Sequence, residues 1–552
     1  MDFMSDSSLI VCTWDSVGPV YRLEGVTRNN PEKIKVTRIA TGLAEPLGIK
    51  VVNDTIYVLQ KQELTRLIDT DKDGIIDDYQ TVSDAWDVSA NFHEFAFGLV
   101  YKDGYFYATL ATAIEPGGAS AIKQIQDRGK VVKISKRTGK AEFIASGLRT
   151  PNGIGIGVDG EIFVADNQGD WLPSSKILHV KEGAWYGSRS VDFEGTANRT
   201  ETLPVVWLPQ DEIGNSPSQP AYLNVGPYKG QQIHGEVTNG GLKRVFVEKV
   251  NGEYQGAVFR FTQGLEGGVN RTIWGPDGSI YVGMIGNPGN WSTPGGKWYG
   301  IQRLTYNGKS VFEMLAVRAK SNGVEIEFTE PIGERYGNSK ADYDIQQWYY
   351  KPTKDYGGPK LGLEKLNVKS VNISADRKKV FLELDGVKPN HVVYVHLAGV
   401  FLTDKNNQIW STEAWYTMNN IPANDPGFKA PAKEVALNTL TDAEKAAGWV
   451  SLFDGKTITG WHSFKSPGKI GKAWKINDGA IHLDASNKKD WQTGDGGDIV
   501  SDKEYENYEL SLEWKITNCG NSGIIFNSVE DDKHDYMWQT GPEMQVLRYL
   551  SS

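Results

Sequence analysis

Residues 147–171 read GLRTPNGIGIGVDGEIFVADNQGDW. A Gly/Pro-rich lead enters a short strand, Asp159-Gly160 supplies a tight turn, and a β-branched and aromatic strand follows from Ile162. The same layout recurs at 42–60 (GLAEPLGIKVVNDTIYVLQ), 93–110 (HEFAFGLVYKDGYFYATL) and 269–285 (VNRTIWGPDGSIYVGMI), with SLIVCTW at 8–14 as a weaker early copy. Successive post-turn strands, marked by Leu9, Ile56, Tyr105, Ile162 and Ile280, are spaced by 47, 49, 57 and 118 residues. The last spacing is close to two periods, and RVFVEKVNGEYQGAVFRF (244–261) supplies the intervening member after a loop-rich insertion. A period near 50 with several short strands per unit predicts a β-propeller, because one small sheet cannot bury both faces but a ring of sheets can. Six blades are expected over 1–313, with their loops gathered at one end of a central channel.

Beyond 313 the period is lost but alternation persists in GVEIEFTEPI, KKVFLELDGV and HVVYVHLAGVFL, which predicts an antiparallel β-sandwich over 314–420. The proline-bearing stretch 421–448 reads as a linker carrying one short helix, DAEKAAG, capped by Thr441 and stopped by Gly448. A last domain fills 449–552, where ENYELSLEWKI alternates as a strand and NSGIIFNSV and GPEMQVL supply others. The expected class is all-β.

Composition narrows the partners. The 59 Lys and Arg against 69 Asp and Glu give a dispersed net charge of −10, with no basic stripe to neutralise phosphates, so nucleic acid is not the expected partner. Two cysteines, Cys12 and Cys519, exclude a disulfide framework and any cysteine-based zinc or haem motif. No stretch approaches the ~18 consecutive apolar residues that span a bilayer. The amino end carries no signal-peptide pattern and begins in mid-strand, which suggests a chain that starts inside a longer reading frame.

Three constellations could carry chemistry. Asp69, Asp71, Asp73 and Asp77, with Gly74 at the sixth position, repeat the oxygen spacing that wraps a backbone around Ca2+, although Gln80 stands where a bidentate Glu would be. His93 opens the third blade, while Arg149, Asn152 and Asp166 lie at the entry and exit of the fourth. Blade-entry loops face one end of the channel, so these groups could converge: a histidine base beside an arginine suits proton or hydride abstraction from a sugar. The alternative is that they tie blade corners together. In the last domain, Glu543 and Gln545 share one strand face, and Glu509, Ser511, Glu513 and Lys515 share another, with Asn521 at the edge.

Segment 147–171, followed by KILHVKEGAWYG (176–187), resembles the quinoprotein glucose/sorbosone dehydrogenase propellers. The resemblance implies His93 as base and Arg149 as the arginine contacting pyrroloquinoline quinone, with Thr150 where that family carries Asn. WVSLFDGKTITGWHSF (449–464), AWKINDGAIHL (473–483), GGDIVSDKEYENYELSLEWKITNCGNSGIIFNSV (496–529) and TGPEMQVL (540–547) resemble, in order and spacing, the 3-keto-disaccharide hydrolase domain, a concanavalin A-like jelly roll. That resemblance implies cleavage of a glycoside whose ring bears a 3-ketone, with Glu543, Gln545 and Glu513 as the candidate catalytic groups and Asn521 and Trp461 as substrate contacts. It ends at Leu547, where the family continues, so an unpaired sheet edge and an uncovered apolar face are expected. A carbohydrate substrate and a periplasmic or secreted location follow from the resemblances. The rival reading is a carbohydrate-binding or scaffold protein whose 17 Trp and 24 Tyr offer stacking platforms.

Overall fold

The computed structural model describes residues 1–286, 293, 295–429, 438–489, 492–517 and 520–547. Two compact units emerge, 1–430 and 431–552. The described residues are almost entirely β, as expected, with one short α-helix.

Six antiparallel sheets follow one another through residues 2–304. The first four have four strands each, the fifth begins at Pro217, and the sixth has three strands ending at Leu304. The turns are those the sequence announces: Asn53 and Asp54 (φ 50° and 56°) and Asp103 and Gly104 (φ 51° and 85°) reverse hairpins whose strands pair on either side. The first strands of successive sheets pack on one another, and glycine makes this possible. A Cβ on Gly48 would stand 2.3 Å from the Gly98 carbonyl oxygen, and one on Gly153 would stand 2.2 Å from the Gln219 nitrogen.

The ring closes between the sixth and first sheets. Phe3 meets Tyr281 edge-on at 5.1 Å, and the Tyr281 hydroxyl and Arg303 donate to the Val26 carbonyl at 3.2 and 3.3 Å. Arg271, on the first strand of the sixth sheet, reaches across to other sheets. It donates to the Leu47 carbonyl at 2.9 Å, and to the Asn152 carbonyl and Oδ1 at 2.9 and 3.2 Å. Burial pushes its pKa down to about 10, yet it stays charged at neutral pH and ties sheets two, four and six together.

The fifth sheet does not stop at its fourth strand. Glu253–Thr262 pairs with Glu413–Met418, which continues through His391–Leu397 and Tyr343–Tyr349 to Leu361–Lys365, giving eight strands in one sheet. A second sheet of Met314–Lys320, Gly323–Phe328, Lys379–Asp385 and Asn367–Ile373 packs against this extension. Between them lies a core containing Ile326, Val380, Val393, Val395 and Tyr416. The sandwich expected over 314–420 is therefore welded edge-on to the propeller. Across the join, Arg244 is buried in an ion pair with Glu313 at 2.9 Å, and the Tyr228 hydroxyl donates to the same carboxylate at 2.5 Å.

In the second unit, Thr441 and Glu444 exchange capping hydrogen bonds at the start of Asp442–Ala446, and Gly448 turns away at φ 88°. The described strands form two-stranded ribbons: Trp461–Ser463 with Ile499–Ser501, Trp474–Asn477 with Ala480–Leu483, a short Lys488–Lys489 pairing, and Asn521–Ile525 with Glu543–Leu547. The strand expected through 508–516 does not form. Those residues pair with no described strand, so Glu509 and Glu513 lie exposed on a segment without a ladder and form no sheet face. Alternation alone does not make a strand; its N–H and C=O groups need a neighbour, and none of the described residues provides one. Leu510 and Leu512 instead line a groove of about 460 Å³ with Ile524, Phe526 and Met544. Leu510, Leu512, Phe526 and Met544 are 40–50% exposed. Residues 430–437 of the expected linker, Cys519 and 548–552 lie outside the described residues.

Candidate functional site

The propeller brings together three of the residues singled out from its loops. His93 sits before the first strand of the third sheet, Arg149 and Thr150 before that of the fourth, and Asp166 ends the next strand. All four are buried. The His93 Nδ1 donates to the Thr112 carbonyl at 2.8 Å, because a carbonyl can only accept. Its Nε2 therefore accepts from the Thr150 hydroxyl at 3.3 Å, and that oxygen accepts from Arg149 Nη1 at 2.9 Å. Burial pushes the His93 pKa down to about 3, so the ring is neutral at physiological pH. Asp166 accepts from the backbone N–H groups of Arg149 and Thr150 at 3.1 and 2.8 Å. Burial raises its pKa to about 6 against the opposing pull of Lys176. Asn152 is instead taken up by Arg271, described above.

Arg149 itself is spoken for. Its Nε donates to Asp170 at 3.3 Å, Nη1 to Thr150 and to the Gln168 carbonyl at 3.1 Å, and Nη2 to the Gly118 carbonyl. The Tyr356 ring, from a loop of the sandwich, lies over the guanidinium at 5.2 Å. A quinone cofactor would need donors from this arginine, and its hydrogen bonds already go to protein oxygens. The residues present do not fit that group.

On the second blade, ligand oxygens of Asp69, Asp71 and Asp77 lie within 4.8 Å of one another. Asp73 stands outside this cluster and accepts from the Ile75 N–H at 2.7 Å. Thr70 donates to Asp77 through both hydroxyl and backbone, which lowers that carboxyl's pKa. A set of hard carboxylate oxygens at this separation fits Ca2+.

In the second unit the hairpin of Asn521–Ile525 and Glu543–Leu547 places Gln545 opposite Gly523 and Glu543 opposite Ile525. Asn521, Glu543 and Gln545 thus share a face, while Ser522, Ile524, Met544 and Val546 take the other. Gln545 Nε2 donates to Asn521 Oδ1 and to the Ser522 carbonyl at 3.2 Å, which turns the Asn521 amide N–H groups away from Gln545. Glu543 and Gln545 are exposed. Trp461 donates its indole N–H to the Leu452 carbonyl at 2.7 Å, leaving only its ring face for a ligand.

One constellation was not singled out from the sequence. His462, next to Trp461, is buried with Nδ1 2.6 Å from Asp502 and Nε2 2.9 Å from Glu530. Two acceptor carboxylates require a proton on each nitrogen, and the hydrogen bonds it donates to Glu530 and then Asp502 raise its pKa. The signal lay in the GWHSF block, but its partners are 40 and 68 residues away.

Comparison with known proteins agrees with this division. Residues 448–551 match the 3-keto-alpha-glucoside-1,2-lyase-like domain, and residues 32–241 match a domain of unknown function (DUF7133). A 3-keto-disaccharide hydrolase of Bacteroides thetaiotaomicron is 34% identical over 128 residues, covering 22% of this chain and 44% of that protein. The chain thus spans less than half the length of this relative.

Among solved structures, a glucose dehydrogenase-type oxidoreductase from Thermus thermophilus is 18% identical and covers 55% of this chain and 95% of its own, with a TM-score of 0.40. The quinone-bound aldose sugar dehydrogenase of Streptomyces coelicolor is 16% identical, covers 48% and 95%, and has a TM-score of 0.29.

Proposed function

We propose that the protein is a carbohydrate-processing enzyme whose C-terminal unit cleaves glycosides carrying a 3-ketone, with Glu543 as the proton-abstracting base. The observation that carries this reading is the shared face of Glu543, Gln545 and Asn521, held within a hydrolase-family domain. A 3-ketone acidifies the hydrogen on C2. Glu543 takes that proton, and the charge moves onto the ketone oxygen, where the Asn521 amide N–H groups are the donors, those of Gln545 being committed to Asn521 Oδ1 and the Ser522 carbonyl. The electron pair then expels the C1 substituent; the leaving oxygen takes up a proton, and water adds across the unsaturated product. Tyr536 and Trp538 stack at 5.6 Å with Trp538 58% exposed, a surface suited to the apolar face of a sugar. In this reading the Asp69–Asp71–Asp77 cluster holds a structural Ca2+ on the propeller.

The test is release of monosaccharide from a 3-keto-disaccharide by the full chain and by Glu543→Gln. Turnover by the parent and its loss in the variant are expected. A parent protein that releases nothing would overturn the proposal.

A further inference from the structure

We propose that Arg149, Thr150 and His93 form a structural lock between the third and fourth sheets, and that the propeller takes no quinone at this position. The inference stands independently of the cleavage reading. A cofactor-binding arginine must present N–H groups to solvent-filled space. Here Arg149 is 3% exposed, and Thr150 and His93 are 6% and 2% exposed. Four guanidinium N–H groups go to Asp170, Thr150, Gln168 and Gly118, and they join segments on either side of the blade junction.

The covering is built from the sandwich. Trp171 N–H donates to the Thr353 carbonyl at 2.7 Å, Gly357 N–H to the Gly169 carbonyl at 2.9 Å, and Gly358 N–H to the Pro173 carbonyl at 2.9 Å. This strap lays Tyr356 over Arg149 and so close to Gly118 that a Cβ there would stand 2.7 Å from the ring. Charge works in the same direction. A quinone bearing several carboxylates would have to displace Asp170 from Arg149 and settle near the buried Asp166, exchanging a compensated cation for like-charge repulsion. His93 faces the same exclusion: its one acceptor nitrogen is turned to Thr150.

Two measurements decide the matter. The intact protein is titrated with pyrroloquinoline quinone in the presence of Ca2+, following tryptophan quenching and the quinone absorbance. No saturable change is expected, either in the parent or in Tyr356→Gly, which removes the roof. Stoichiometric binding by either protein would overturn the inference. In the second, Arg149→Lys keeps the charge but loses the fork. A lock predicts a melting temperature lowered by roughly 2–8 °C, together with faster amide exchange at 149–152. A variant as stable and as protected as the parent would also overturn it.

Discussion

The Glu543 carboxylate lies across Gly523 of the facing strand: a Cβ at Gly523 would stand 1.7 Å from Glu543 Oε1. The glycine of the NSG segment is thus the space in which the candidate base rests. Gly523→Ala should leave the fold intact, because its backbone is extended and β-paired with Gln545, while pushing the carboxylate aside. Cleavage of a 3-keto-disaccharide is expected to fall at least about tenfold in Gly523→Ala and by about 10²–10⁴ in Glu543→Gln. Steady-state rates with matched circular dichroism spectra check both.

His462 makes the second unit sensitive to pH. Its partners are Asp502 and Glu530, and Glu530 also accepts from the Lys465 backbone. The folded-state pKa lies above the ordinary 6.5, so the clamp's stabilisation is complete below that value and is lost as pH rises through the raised one. The parent protein should lose melting temperature across that window more steeply than His462→Gln, and scanning calorimetry over a pH series reads the difference.

Asp166 should show the same sign by a different cause. Burial lifts its pKa from 3.8 to about 6, so its contribution is greatest below pH 4 and declines as pH rises through 6. Asp166→Asn keeps an acceptor for the Arg149 and Thr150 N–H groups but cannot ionise. The urea midpoint of the parent relative to this variant is expected to fall between pH 4 and 7, whereas Asp166→Ala should be destabilised throughout.

The pair of Arg244 and Glu313 is nearly inaccessible, at 0% and 3% side-chain exposure. Arg244→Met alone leaves a buried carboxylate without its cation and is expected to cost about 3–5 kcal/mol. Adding Glu313→Leu should recover most of that loss, a coupling measurable by a double-mutant cycle in urea.

Calcium should raise the melting temperature of the full chain, and a chelator should reverse it. Asp71→Asn with Asp77→Asn is expected to abolish the response, and isothermal titration would register the loss directly.

What the sequence disclosed was local. The turns at Asn53-Asp54 and Asp103-Gly104, the lead glycines Gly48 and Gly153, and the shared face of Glu543 and Gln545 all follow from neighbours within a few residues. What it concealed depends on distant chain. Tyr356 reaches Arg149 from 207 positions away, so no spacing within 147–171 could reveal that the arginine is roofed. His462 reads as one residue of a tryptophan-flanked strand until Asp502 and Glu530 arrive from elsewhere. The 508–516 segment failed for a related reason: alternation reports which side chains want burial, but pairing depends on the strand alongside.

The continuous sheet from Glu253–Thr262 into Glu413–Met418 bears on how this molecule can be divided. Cutting the chain after the sixth sheet would strip a neighbour from a ten-residue strand, leaving a raw adhesive margin along which copies could aggregate. Propeller and sandwich should therefore be expressed, purified and inherited as one indivisible piece.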